Sequence, residues 1–211
     1  AGARNMATTT GGFATLFELD WDGNVVWKYE NPKELMHHDF ERLPDGRTAV
    51  IVQEKLPLEL QQKIKKLAGA PASKEEIFSD AIVEIDGSGR EVWRWSAWQH
   101  LDPESPGNRL LSSQVQDSWL FQPSWTLINA IKFIPKSRST GKPIYIISMP
   151  QLDTIAAIDR ENGKIVWRAG GRGVVAGQHS VDVTADGKIM TFDNGVIEPG
   201  IPGRGIDPGK Y

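Results

Sequence analysis

Three features of the sequence predict an all-β chain built from repeated units. A hairpin motif recurs three times, Asp and Gly hold fixed places in its turns, and eight tryptophans stand among 21 glycines and 13 prolines in 211 residues. Short strands, tight turns and large side chains packed between sheets are what such a composition supplies. A 39% hydrophobic content is enough for one domain of ordinary size, taken as residues 1–211.

The first copy of the motif is TLFELDWDGNVVW (15–27), the second AIVEIDGSGREVW (81–93) and the third TIAAIDRENGKIVW (154–167). In each, an apolar strand ends on Asp, a turn closes on Gly, and a second apolar strand closes on Trp, the pattern of a β-hairpin. A second hairpin follows each copy: HHDFERLPDGRTAVI from His37, INAIKFIPKSRSTGKPIYIIS from Ile128 and QHSVDVTADGKIMTF from Gln178. Two hairpins per repeat make four strands, and a four-stranded unit carrying one Trp motif is what a β-propeller blade requires. A β-sandwich is the rival, but its strands need not repeat Asp, Gly and Trp in register. The chain holds about three blades' worth of strands, fewer than the roughly four to eight needed to close a ring. Further blades outside this sequence, a homo-oligomer or an open arc are the ways to satisfy that count.

Two insertions interrupt the repeat. Residues 54–80 contain LPLELQQKIKKLA (56–68), whose Leu56, Leu60, Ile64 and Leu67 fall at helical spacing, so a short amphipathic helix packed on the rim is expected. Residues 99–125 have no period and read as a long loop of the kind that lines sites.

Charge and composition exclude several functions. The 24 basic and 27 acidic residues are interspersed and sum to a net charge of -3, so no face is prepared for nucleic acid. No apolar run reaches the roughly 18 residues needed to span a bilayer. Without cysteine there are neither disulfides nor thiolate metal sites, and compartment stays open.

Aligning the second hairpins on their turns brings out the candidate site. His38 and His179 each precede the Asp of an Asp-Gly turn by seven residues, and Asn129 holds the same place measured from Pro135 as His38 does from Pro44. Equivalent positions on successive blades project to one end of the central channel, so His38, Asn129 and His179 are expected to converge there. A histidine in a strand is otherwise most often a packed structural residue. His37, offset by one, is expected to face the other way, and His100 to be exposed. Two histidines could begin a zinc site, but no carboxylate or third histidine recurs with them.

HHDFERLPDGR, AIVEIDGSGREVWRW followed by WQHLDP, TIAAIDRENGKIVWR, and GQHSVDV leading to FDNG together resemble the bacterial arylsulfotransferase family, over nearly all of residues 13–195. The resemblance implies a six-bladed propeller that moves a sulfuryl group from an aryl sulfate ester to a phenolic acceptor through a sulfated histidine. It places the nucleophile on His179, a supporting histidine on His38 and an active-site asparagine on Asn129. It further implies small phenolic substrates, no cofactor, and a periplasmic or secreted location.

Two positions depart from the family's pattern. Leu127-Ile128-Asn129 stands where the family has His-x-Asn, and Met149 follows Ser148 where the family has arginine. One lost preorganised donor costs about 2.7–4 kcal/mol in the transition state, so slow transfer is expected unless Arg138, Arg172 or a residue from further blades stands in. The alternative is a catalytically inactive propeller serving as a binding or assembly module. A quinoprotein-like cofactor propeller, which shares the Asp-Gly-Trp pattern, is a third reading.

Overall fold

The computed structural model describes residues 12–13, 15–31, 33–67, 76–104, 124–170 and 174–195. The Trp hairpins are β2 (Thr15–Leu19) with β3 (Val25–Glu30), β6 (Phe78–Ile85) with β7 (Glu91–Ser96), and β10 (Thr154–Asp159) with β11 (Ile165–Gly170). The second hairpins are β4 (Leu35–Arg42) with β5 (Thr48–Lys55), β8 (Ala130–Ile134) with β9 (Ile144–Met149), and β12 (His179–Val183) with β13 (Ile189–Phe192). A two-residue strand, β1 (Gly12–Phe13), pairs with β4.

The repeated Asp of the Trp hairpins caps its own turn. Asp20 Oδ1 accepts from the Asp22 and Asn24 amides, Asp86 Oδ1 from Ser88 and Arg90, and Asp159 Oδ1 from Glu161 and Asn162. This is the Asx device by which a short acidic side chain replaces water on turn amides. Gly163 closes the third turn at φ +71°, where a Cβ would also meet the His100 ring at 3.0 Å, so only glycine fits there.

The first two of the second hairpins each join the Trp hairpin that follows. One antiparallel sheet runs β1-β4-β5-β6-β7 and another runs β11-β10-β9-β8, while β2-β3 and β12-β13 remain two-stranded. The four sheets stack face to face in chain order. The first large sheet buries Met36, Val50, Val52 and Val83 against Leu16, Trp27 and Tyr29 of the β2-β3 hairpin. Its other face contributes Ile51, Ile82 and Trp95 to a shared core with Ile131, Tyr145, Ile147, Met149 and Ile158 of the second large sheet. The far face of that sheet packs Ala130, Ile146, Ile155 and Ala157 on Val181 and Val183 of β12. The all-β architecture is the one the repeat predicts. Among the described residues the sheets do not close on themselves into a ring.

Buried charge ties the two large sheets together at one end. Glu84, fully buried, accepts hydrogen bonds from Tyr145 Oη at 2.8 Å and from Arg160 Nε and Nη2 at 2.7 and 2.8 Å, and it pairs with Arg47. Arg160 also lies 5.7 Å from the centroid of Trp93, whose ring stacks on Tyr145. Burial and the Glu84 carboxylate push the Tyr145 hydroxyl's pKa far up, so it serves as a donor at every working pH.

The insertion after β5 forms helix α1 (Leu58–Leu67), with Ile64 and Gln61 buried and Leu67 exposed. Gln61 earns its place by donating from Nε2 to the Leu56 carbonyl and accepting the Ile77 amide. A single turn of helix, α2 (Ala97–His100), follows β7. His100 is exposed on one side and stacks on Trp95 with ring centroids 5.1 Å apart. Most of the expected loop at 99–125 lies outside the described residues.

Candidate functional site

The first strands of three consecutive sheets, β4, β8 and β12, lie together, with β8 packed against both of the others. At their shared end a cleft of about 430 Å³ is lined by His38, Asp39, Glu41, Asn129, Lys132, Ser180 and Asp182 together with Ala130, Ile131 and Val181. His38 and Asn129 therefore share one cleft. His179 is exposed at the start of β12, next to Ser180 on the cleft wall.

A bulge in β4 shapes this end. Met36 pairs with Val52 and Phe40 with Val50, so His37, His38 and Asp39 together span the space opposite Ile51. His38 adopts φ +58° to do so, a left-handed conformation that costs a non-glycine residue about 1–2 kcal/mol. In β12 the shift is smaller, and Ser180 rather than His179 takes φ +58°. The two histidines that match by turn distance thus sit on differently bent backbones.

The bulge also overturns the expectation that His37 faces away from His38, because strict alternation fails where an extra residue enters a strand. His37 is buried, and its Nδ1 lies 2.8 Å from His38 Nδ1 with the rings edge to face. On its other side His37 Nε2 lies 3.2 Å from Asp80 Oδ1, an ion-pair distance at an angle that falls outside hydrogen-bond geometry. Asp80 is fully buried and accepts from Ser124 Oγ, Thr126 Oγ1 and the Ile128 amide. Burial alone raises its pKa, but His37, Thr126 and the Ile128 amide outweigh that and hold the carboxyl below its ordinary value.

One tautomer of the neutral rings fits this chain of contacts. A proton on His37 Nε2 faces the Asp80 carboxylate, which leaves His37 Nδ1 as an acceptor. His38 must then donate from Nδ1, and its Nε2 keeps a free lone pair. Burial, followed by the neighbouring imidazoles of His37 and His179, lowers the His38 pKa to about 4, with Asp80 opposing. His38 is a neutral base across the physiological range.

His179 is oriented in the same way. Its Nδ1 lies 3.1 Å from the Gly177 carbonyl oxygen and 2.8 Å from the Asn194 side-chain amide. With Nδ1 protonated the ring donates to the Gly177 carbonyl and Asn194 faces it through its oxygen, whereas with Nδ1 unprotonated the ring accepts from Asn194 Nδ2. In the first of these tautomers Nε2 of His179 carries the free lone pair that a nucleophile needs.

Asn129 connects neighbouring sheets. Its Nδ2 donates to the Gln178 carbonyl at 2.9 Å, while its buried Oδ1 has no hydrogen-bond partner among the described residues and can accept from a ligand. Asp39 does the reverse across the other junction, accepting the Ile131 amide at 3.0 Å. Further along the cleft, Lys132 Nζ lies 3.6 Å from both Glu41 and Asp182. Burial raises the Glu41 pKa, and Lys132 partly offsets it.

Neither departure from the family's pattern is repaired by a nearby arginine among the described residues. Leu127 is buried at φ +47° with its amide donated to Ser124 Oγ, and Met149 is a fully buried core residue. Arg138 holds the Asp186 carbonyl at the turn end of β12, away from His179 at its start, and so does not stand in. Arg172 lies outside the described residues. Those residues contain no group of three or more His, Asp or Glu able to hold a metal, and no helix long and apolar enough to cross a membrane.

The match of a family model for arylsulfotransferase (ASST) covers residues 3–176. The chain belongs to the arylsulfotransferase family. The matched stretch contains His38 and Asn129 and stops just short of His179. No curated protein matches the chain. Among solved structures it is similar to a Bacteroides caccae protein of unknown function, at 12% identity and a TM-score of 0.46, covering 86% of this chain. The present chain spans about half of that protein, 48% of its length.

Sequence reasoning singled out His38, Asn129 and His179 but missed His37, Asp80 and Asn194. The signal for the first was visible: His-His-Asp places three polar residues in a row on a strand, which alternation cannot accommodate without a bulge. Asn194 belongs to the FDNG stretch that pairs with His179 through Phe192. Nothing in the sequence marks Asp80, which joins the site through buried hydrogen bonds.

Proposed function

We propose that this arylsulfotransferase family member transfers a sulfuryl group between phenols, with His179 as nucleophile and the stacked sheets as consecutive blades of a β-propeller. The observation that carries the chemistry is the placement of two imidazoles by their Nδ1 contacts: His179 against the Gly177 carbonyl and Asn194, and His38 against His37. The meeting of β4, β8 and β12 at one cleft supports the propeller arrangement.

In the first half-reaction His179 Nε2 attacks the sulfur of an aryl sulfate. The N–S bond forms as the ester S–O bond breaks, and the phenolate leaves with the electron pair. In the second, an acceptor phenol gives its proton to His38 Nε2 while its oxygen attacks sulfur, and the N–S electrons return to His179. The Gly177 carbonyl keeps the imidazole oriented throughout, and Lys132 is the cation available to sulfuryl oxygens within the cleft. Incubation of the protein with 4-nitrophenyl sulfate alone is expected to release nitrophenolate and add one sulfuryl group to the His179 peptide by mass spectrometry. An unmodified His179 peptide after phenolate release defeats the assignment.

One observation favours a second reading, a silent binding module. The cleft presents Asp39, Glu41 and Asp182 against the single cation Lys132, a balance that disfavours an anionic donor, and the guanidinium position is filled by buried Met149.

The tautomer chain has a pH signature. The folded-state pKa of His38 lies near 4, below its ordinary 6.5, so the unfolded chain binds the extra proton first as pH falls. Its stabilising contribution is complete above about 6.5 and is lost progressively down to about 4. Glu54 acts in the opposite sense, since burial lifts its carboxyl to about 7. The informative measurement is therefore the difference in urea midpoint between wild type and His38→Gln: the wild type is expected to lose more stability from pH 7 to 4. Parallel curves contradict the assigned environment.

A further inference from the structure

His38 lines a second cleft on the other side of β4, and its character differs from the first. About 330 Å³ in size, it lies between the β2-β3 hairpin and the first large sheet. Leu16, Phe17, Met36, Phe40 and Val50 form its apolar lining, and His38 with its neighbours His37 and Asp39 forms the polar edge. Phe17 and Phe40 are 52% and 47% exposed, large aromatic surfaces left half open to water. We propose that this cleft is the aryl subsite, binding the ring of a phenol or aryl sulfate with its oxygen directed at His38.

Three physical matches commit the site to that occupant. The volume suits a single small ring, being at the lower end of ordinary ligand pockets. Aromatic flanks favour an aromatic guest, since offset or edge contacts between rings add to the area they bury. Apart from Thr15 on β2, the polar lining lies along one edge on β4, where His38 can accept through Nε2 and Asp39 is a carboxylate. A guest with an apolar disc and one O–H donor satisfies both sides at once, whereas an aliphatic chain or a strand from a second copy leaves the His38 edge unused.

The two clefts then divide one substrate. With the ring between β2 and β4, the ester oxygen lies at His38, and the sulfuryl group falls on the far side, in the polar cleft beside Asn129 and Lys132, where His179 approaches from β12. The leaving phenolate and the incoming phenol occupy the same pocket in turn, as a two-step transfer requires.

This inference rests on the sulfuryl-transfer reading but is tested apart from it, by binding 4-nitrophenol, which cannot react, to the full chain in a calorimeter. Phe17→Ala and Phe40→Ala are each expected to weaken binding about tenfold, Phe17→Tyr to leave it within about twofold, and Val26→Ala to leave it unchanged. Val26 is a control because it is 58% exposed and apolar but lies outside the cleft. Both phenylalanines are half exposed, so their truncation spares the core; circular dichroism confirms this. In turnover with 4-nitrophenyl sulfate the same two alanine variants raise KM with little change in kcat. No binding by wild type, or binding indifferent to both phenylalanines, overturns the aryl subsite even if transfer proceeds. Binding that follows the variants without any sulfated His179 leaves the subsite standing and removes the transfer reading.

Discussion

Replacement of His179 by alanine is expected to lower sulfuryl transfer by a factor on the order of 10⁴ or more, with little effect on the fold. The residue is exposed, and among the described residues its ring's polar contacts are the Gly177 carbonyl and the Asn194 amide. Loss of such exposed hydrogen bonds alters stability by no more than about 1 kcal/mol. Loss of the nucleophile, by contrast, removes the covalent route altogether. Single-turnover release of nitrophenolate separates these effects, because a merely structural histidine leaves the burst amplitude intact. His38→Ala provides the graded comparison: losing a general base costs about 10² to 10⁴ in rate, and the defect falls on the acceptor half-reaction. A burst in His179→Ala equal to that of wild type excludes His179 as the sulfated residue.

Truncation of Glu84 to alanine is expected to destabilise the chain by about 3–5 kcal/mol. The carboxylate is completely buried, and without it two guanidinium groups, Arg47 and Arg160, face each other beside an unpaired Tyr145 hydroxyl. The penalty arises chiefly from leaving Arg160 and the Tyr145 hydroxyl without their acceptor, since Arg47 keeps Asp45, rather than from the worth of the ion pairs themselves. Glu84 pairs with Ala49 and Trp93 at the turn end of the sheet, whereas Asp80 pairs with Gln53 at the site end. Activity per folded molecule should therefore be preserved at temperatures where the variant remains folded. Urea denaturation followed by tryptophan fluorescence measures the change, and a midpoint equal to wild type refutes the buried network.

Local rules made the hairpins legible. The Asp of each Trp hairpin announces a capped turn, the Gly announces a left-handed residue, and the apolar alternation between them announces strands; each is a contact among residues a few positions apart. Turn spacing also carried His38 and Asn129 to one cleft. What resisted reading was the bulge at His37–Asp39, because a period of two presumes an unbroken ladder and three residues set opposite one break it. Asp80 and Glu84 were illegible for a different reason. Each is an acid in an apolar strand whose justification is a set of donors brought from elsewhere: Thr126 and Ile128 for one, Arg47 and Arg160 for the other.

The side chains at the junctions between sheets have a consequence for how the molecule comes apart. Asp39 grips the backbone of β8, and Asn129 grips the backbone just before β12, so each seam is fastened from the chain that precedes it. The cleft belongs to the seams rather than to any one sheet. As denaturant rises, a seam can part while the ladders on either side stay paired, and affinity for ligand then disappears ahead of strand content.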